Sequence, residues 1–147
     1  MTYVAATPTP VQIKSEFTSD PLGLGYAALI AAQDWNGLAI LLNASRVGQT
    51  INRRHVFAIE LVEAIDAAAI NALNVGNRDA IVFLMQAATG GEIDPFNTIT
   101  RTYFNLFTGA TKTRLDALLT RQGSRAEALW GEDVIITDVQ CEAAAKL

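Results

Sequence analysis

The stretch NRDAIVFLMQAATGG, residues 77–91, decides the fold class of this chain. Its apolar residues recur at the i, i+3, i+4, i+7 spacing of one face of an α-helix: Ile81, Leu84, Met85 and Ala88. Asn77 is a favourable N-cap, and Gly90–Gly91 ends the helix because glycine readily adopts the left-handed backbone of a helix C-terminus. The stretch therefore predicts an amphipathic helix in a mainly α-helical protein.

Helical spacing continues on both sides of this stretch. We predict helices over residues 11–19, 26–33, 35–44, 57–73, 94–107, 111–122, 125–130 and 137–146. Ser124–Glu127 and Thr137–Gln140 have the pattern of capping boxes, in which two side chains bond the unpaired N–H groups of a helix start. Asp94–Pro95 predicts another helix start, and Gly123 predicts a C-terminal cap.

Little of the chain predicts β-structure. Residues 45–49 are expected to form a turn, and residues 50–56 and Val134–Ile136 are the candidate strands of a minor two-stranded pairing. With 147 residues the chain has the size of one domain. We therefore predict a single compact multi-helix domain over residues 11–147.

The first ten residues, MTYVAATPTP, predict an extended N-terminal arm. Alternating threonine and proline over residues 7–10 favours a polyproline-like backbone, and nothing in the segment can pack as a helix. Such a segment becomes ordered only by docking on another surface. We therefore expect the arm either to fray, as chain termini often do, or to dock on a neighbouring subunit. Its candidate partner-contact residues are Tyr3, Val4, Pro8 and Pro10.

Composition indicates a folded protein and argues against binding to nucleic acid. Half of the residues are hydrophobic and 18% are charged, whereas disordered chains have low hydrophobicity and high charge. The apolar excess fits either an alanine-rich core or a surface covered by a partner. Net charge is -4 with a pI near 4.9, and nucleic-acid binders normally present a basic face. Arg53, Arg54 and His55 form the one local basic cluster.

Three further candidate partner contacts lie inside the helical region: Arg53, Arg54 and Phe104. Phe104 is chosen because it falls off the apolar stripe predicted for its helix, which comprises Phe96, Ile99, Tyr103 and Leu106 or Phe107. The lone cysteine, Cys141, excludes an internal disulfide and fits folding in a reducing cytoplasm. No signal peptide or membrane span is expected.

The residues do not form a recognisable catalytic or metal-binding pattern. One histidine, His55, and one cysteine are too few for a zinc site, and no nucleophile elbow or phosphate-binding glycine loop is present. Glu60, Glu63 and Asp66 share one helix, where a solvated face is the expected role. We therefore predict no enzyme activity, no cofactor and no metal.

Several short motifs are shared with a known group of proteins. Residues 13–27, IKSEFTSDPLGLGYA, match an I-K-x-E-I-x-x-D-P-x-G-x-G-Y-A pattern except that Phe17 replaces isoleucine. Further matches are Leu41-Leu42-Asn43, Asn52-Arg53, Ala64-Ile65 and an S-R-A-E-x-L-x-G segment at residues 124–131, followed by Val134 and Val139. Over residues 11–140 the chain thus resembles small proteins encoded among the structural genes of tailed bacteriophages.

The resemblance implies a virion or assembly role without enzyme activity. The first hypothesis is a head–tail connector or another structural component of the particle, made in the host cytoplasm and incorporated in the virion as a homo-oligomeric ring or array. Its partners would be other phage structural proteins, with no specific nucleic acid and no membrane. The alternative hypothesis is a cytoplasmic adaptor or regulatory protein-binding module that does not enter the particle.

Overall fold

The computed structural model describes residues 3–147 and confirms the mainly α-helical fold class. Ten α-helices lie within this part of the chain: α1 Pro10–Ser19, α2 Tyr26–Ala31, α3 Trp35–Asn43, α4 Ala58–Ala64, α5 Ala67–Ala72, α6 Val75–Thr89, α7 Thr98–Phe104, α8 Gly109–Ala117, α9 Arg125–Trp130 and α10 Asp138–Ala145. Four short strands accompany them: β1 Ser45–Asn52, β2 Val56–Phe57, β3 Glu92–Ile93 and β4 Thr120–Ser124. None of the helices described combines the length and hydropathy needed to cross a bilayer.

Two hydrophobic clusters lie inside the segment that the sequence predicts as one domain. Residues 5–51 and 122–147 form one compact unit, here called the terminal unit. Residues 3–4 and 52–121 belong to the other, here called the central unit. Contacts of α3 and α1 with α10 build the first cluster, which contains Ile13, Leu38, Leu42, Ile136 and Cys141. Packing of α4 on α6 and α8 builds the second, which contains Val56, Leu61, Ile81, Phe104 and Leu115.

The β-structure differs from the prediction. Strand β1 begins at Ser45, where a turn was expected, and pairs with β4 rather than with residues 134–136. The predicted helix over 111–122 ends at Ala117, and Gly123 lies in β4 instead of capping a helix. Gly123 is buried, and a Cβ there would lie 2.7 Å from Cγ2 of Ile51 in β1. A second pairing, β2 with β3, is antiparallel and places Val56 opposite Ile93.

Residues Val134–Ile136 have no regular secondary structure, and a side chain rather than a partner strand bonds their backbone. The Asn43 side-chain amide donates to the Ile136 carbonyl at 2.7 Å, and its oxygen accepts from the Ile136 N–H at 2.9 Å. Val134 and Ile136 are buried whereas Ile135 is exposed, which is the alternation that predicted a strand.

We expect Asn43→Ala to lower the free energy of unfolding by about 1–2 kcal/mol, because it removes both hydrogen bonds to the buried Ile136 backbone. Urea denaturation measures the change. Asn36→Ala on the exposed side of the same helix is the control and should shift stability by less than about 0.5 kcal/mol. An equal effect of the two substitutions would show that the amide pairing does not hold the segment.

Two helix starts were predicted at the wrong residue. The N-cap of α6 is Asn74, whose side chain accepts from the Asn77 N–H, so Asn77 lies inside the first turn. Helix α7 begins at Thr98 with Asn97 as its N-cap, and Asp94 instead accepts from the Phe96 N–H in the preceding turn.

The residues that are buried in and after α7 differ from the predicted apolar stripe, and this changes the role of Phe104. The buried positions are Thr100, Phe104 and Phe107, whereas Ile99 is 61% exposed. The apolar stripe is therefore rotated by about one residue relative to the prediction. Phe104 is 1% exposed and belongs to the core of the central unit, so its prediction as a partner contact was wrong.

The remaining helix boundaries lie close to the predicted ones, except that the helix predicted over residues 57–73 is divided into α4 and α5. Helix α1 buries Ile13 and Phe17 as predicted, and the capping boxes at Ser124 and Thr137 are both formed. Cys141 is completely buried in α10, where burial raises the pKa of its thiol to about 11.

Candidate interaction surfaces

The motifs at residues 13–27 and 124–127 meet in a buried polar cluster of the terminal unit. Arg125 donates from Nε to Glu16 Oε1 at 2.7 Å and from its terminal nitrogen to Oε2 at 2.9 Å. The hydroxyl of Tyr26 donates to the same Oε1 at 3.1 Å. Glu16 and Tyr26 are both buried. The cluster thereby ties together α1, α2 and α9.

The turn between α1 and α2 is built around Asp20, which carries a left-handed backbone (φ 34°) as the C-cap of α1. Its carboxylate accepts from the N–H groups of Leu24 at 2.7 Å and Gly25 at 2.8 Å. Burial raises the pKa of this carboxyl, but the backbone hydrogen bonds outweigh that effect and hold the pKa below its ordinary value. Gly25 also has positive φ, at 85°, a conformation that glycine adopts without steric cost.

The polar groups of this cluster bind one another and stabilise the fold. Hydrogen bonding to Glu16 holds the pKa of Arg125 above its ordinary value, and burial together with Glu16 raises the pKa of Tyr26. The arginine is therefore charged and the phenol protonated at neutral pH. Both carboxylate oxygens of Glu16 are already engaged. The motif residues thus shape the fold around the turn.

The meeting of these two motifs in one cluster was not predicted. One signal was available: Glu16 lies between Ile13 and Phe17 on the apolar face of α1, at a position where an unpaired charge is costly. A carboxylate there needs a cationic partner. The sequence alone does not say which arginine supplies it, because Arg125 is 109 residues away.

In the central unit the predicted contact residue Arg53 is engaged within its own chain. It forms a bidentate ion pair with Glu60, in which its two terminal nitrogens donate to Oε1 at 2.6 Å and to Oε2 at 3.0 Å. The Arg53 side chain is 12% exposed. The hydrogen bond from Arg53 and a second from the Phe57 N–H hold the pKa of Glu60 below its ordinary value. Arg54 is exposed and stays a candidate contact.

The acidic residues of α4 and its C-terminal end have separate environments. Glu60 pairs with Arg53, Asp66 pairs with Arg114, and Glu63 is exposed. The hydrogen bond with Arg114 lowers the pKa of Asp66. The prediction that the three carboxylates share one solvated helix face was wrong, because Asp66 lies beyond α4 as the N-cap of α5 and Glu60 is half-buried against Arg53.

The N-terminal arm has no regular secondary structure over residues 3–9 and contacts its own chain. The Tyr3 N–H donates to Glu92 Oε2 at 3.2 Å, and the Tyr3 ring lies 5.6 Å from that of His55. Pro8 is buried, whereas Val4 is 82% exposed. Pro10 is exposed and opens α1 rather than ending the arm. The first two residues of the predicted arm lie outside the described residues.

Helix α6 carries an exposed apolar face that sequence reasoning did not identify. Val75 is 68% exposed, Val82 49% and Phe83 63%. With Asp79 these residues share one side of the helix, opposite the buried Ile81, Leu84 and Ala88. We call Val75, Asp79, Val82 and Phe83 the α6 outer face. The signal was present in the opening stretch, where Val82 and Phe83 fall outside the buried spacing.

The terminal unit has an open apolar pocket of about 330 Å³ between α1, α2 and α10. Phe17, Ile30 and Ala144 contribute apolar surface, and Lys14 and Thr18 line the α1 side. Lys14 is exposed, so its ammonium group is available at the rim. The pocket therefore offers an apolar interior with one positive charge beside it.

Comparison of the chain with protein-family models, curated proteins and solved structures gives no match.

Proposed function

We propose that this chain is a non-enzymatic structural protein of a tailed-bacteriophage particle that acts through subunit contacts. A head–tail connector or neck component is the favoured position. The observation that carries the proposal is the α6 outer face, where two valines and a phenylalanine are about half to two-thirds exposed in a single chain. Apolar surface of this kind is typical of protein-binding sites.

The pairing of polar groups within the chain supports a role in protein contacts. Glu16, Tyr26 and Arg125 bind one another, and Arg53 binds Glu60. These paired charged groups therefore stabilise the fold, while three exposed side chains of α6, Val75, Val82 and Phe83, are apolar. Helices held by ion pairs give the exposed apolar face a rigid support. A rigid support favours protein binding because it lowers the entropy cost of association.

The motif resemblance supports the particle role. The two longest shared motifs lie at the α1–α2 turn and the start of α9, and their residues Glu16, Tyr26 and Arg125 build the terminal unit's polar cluster. The motif residues therefore have a structural role in this chain. The proposed phage role comes from the resemblance to phage proteins that have the same motifs. The proposal extends that role to this chain.

Quantitative mass spectrometry of gradient-purified virions tests the proposal. We expect the chain at a fixed, small copy number per particle, and we expect particles made with Phe83→Asp to lack it or to be defective. Val47→Asp is the matched control, because Val47 is 95% exposed and lies on β1, outside the α6 outer face. Abundance in infected cytoplasm with absence from virions would contradict the proposal and favour the adaptor alternative.

A further inference from the structure

The α6 outer face presents an apolar ring beside a carboxylate, and the pocket presents an apolar interior beside an ammonium group. We propose that Phe83 of one copy of this chain inserts into the apolar pocket of a second copy. This inference deepens the proposed function, on which it rests, by naming the partner as another copy and specifying the contact.

The size and the apolar lining of the pocket fit the Phe83 ring. Phe83 projects from the middle of α6 with 63% of its surface exposed. The pocket volume of about 330 Å³ lies at the lower end of the range of roughly 300–1,000 Å³ typical of small-ligand sites, which is enough for an aromatic side chain. Phe17 and Ile30 would supply the apolar contacts that remove the ring from water.

Charge supports a second copy of the chain as the occupant. Asp79 lies one helical turn before Phe83, and Lys14 lies one turn before Thr18 along the pocket. Neither Asp79 nor Lys14 takes part in an ion pair within residues 3–147. When the ring enters the pocket, the carboxylate and the ammonium group can therefore meet at its rim.

The contact is heterologous, because the projecting side chain and the pocket belong to different surfaces. Phe83 lies in the central unit, and every residue that lines the pocket lies in the terminal unit. A two-fold dimer would use one patch on both copies, whereas a contact between two different patches repeats from copy to copy. Such contacts generate closed rings or open filaments. The proposed contact therefore leads to a ring or array.

Sedimentation analysis of the full chain over a concentration series tests the contact. We expect Phe83→Asp to raise the dissociation constant of self-association by about 30-fold or more, as loss of a buried anchor does. Lys14→Glu and Asp79→Lys should each raise it about tenfold by opposing like charges, and the double variant should recover most of the loss. All three residues are exposed, so circular dichroism should show an unchanged fold.

A mixing experiment tests the heterologous geometry. Ala27→Trp fills the pocket from an exposed position on α2 and leaves Phe83 intact, whereas Phe83→Asp leaves the pocket intact. Each variant alone should be monomeric, and their mixture should give a discrete one-to-one complex that grows no further. Val47→Asp is the control and should self-associate like the wild type.

Three results would overturn the inference: a wild-type chain that stays monomeric at its highest soluble concentration, self-association unchanged by Phe83→Asp, or no recovery in the Lys14→Glu, Asp79→Lys double variant. Loss of particle incorporation in Phe83→Asp with unchanged self-association would show that the α6 outer face binds a different protein. The proposed function has a separate test, since it fails only if purified virions lack the chain.

Discussion

Arg125→Met is expected to lower the free energy of unfolding by about 3–5 kcal/mol, the cost of leaving a buried charge without its partner. Glu16 has 5% of its side chain exposed and accepts from Arg125 through both carboxylate oxygens. Without the guanidinium, the buried carboxylate keeps the hydrogen bond from Tyr26 but has lost its cationic partner. Urea denaturation followed by tryptophan fluorescence measures the loss, because Trp35 and Trp130 both pack against the terminal unit's core.

Two further variants make this result specific. Arg125→Met combined with Glu16→Leu should recover most of the lost stability, since replacing both members of a buried ion pair by apolar residues is often neutral or stabilising. Lys146→Met breaks an exposed pair with Glu142, whose side chains are 65% and 40% exposed, and should cost less than about 1 kcal/mol. If Arg125→Met costs no more than Lys146→Met, the buried pair does not stabilise the unit.

Gly123→Val is expected to destabilise the chain by about 3 kcal/mol, at the upper end of the usual cost of overpacking. A Cβ at this position would lie 2.7 Å from Cγ2 and 2.9 Å from Cγ1 of Ile51, closer than unbonded carbon atoms approach. The neighbour is a β-branched side chain in the paired strand, which has little freedom to move away. The same urea denaturation measures the effect.

The compensating variant is Ile51→Ala in the Gly123→Val background. The two positions then hold the same number of side-chain carbon atoms as in the natural chain, so much of the stability should return. Gly76→Val is the matched control, because the nearest atom to a Cβ there is Asn74 Oδ1 at 3.7 Å, and its effect should stay within about 0.5 kcal/mol. Equal losses at Gly123 and Gly76 would contradict a steric cause.

Local signals predicted most of the helices, because the residues that start and end them are close in sequence. The Ser124 and Thr137 capping boxes each involve residues three apart, and both are formed. Asn77 was a poor choice for the start of α6 because the equally suitable Asn74 lies three residues earlier. Two good N-caps one turn apart cannot be ranked without knowing which residues the helix buries.

The strands were harder to predict because their partners are distant. Strand β1 pairs with β4, about 70 residues later in the chain. Gly123 looked like a helix terminator, since the close approach of Ile51 that demands a glycine is visible only in three dimensions. Val134–Ile136 has the alternation of a strand, but its hydrogen-bond partner is the Asn43 side chain. Periodicity identified the alternation of buried and exposed side chains correctly, but the predicted strand does not form.

The candidate surfaces depended even more on tertiary structure. Phe104 and Phe83 are both aromatic residues within predicted helices, and only the rotation of each helix decides which one is buried. A shift of one residue in the α7 stripe moved Phe104 into the core. The pocket brings together residues from α1, α2 and α10, so no local pattern could indicate it.

The fully buried Cys141 gives the chain a built-in reporter of global opening. Because its thiol is enclosed and its pKa is raised to about 11, a thiol-reactive dye should modify it only when the terminal unit opens. Fluorophores or spin labels can therefore be attached to cysteines engineered on the surface while the native thiol stays in place. Under denaturing conditions, the labelling rate of Cys141 would time the opening of the unit that surrounds it.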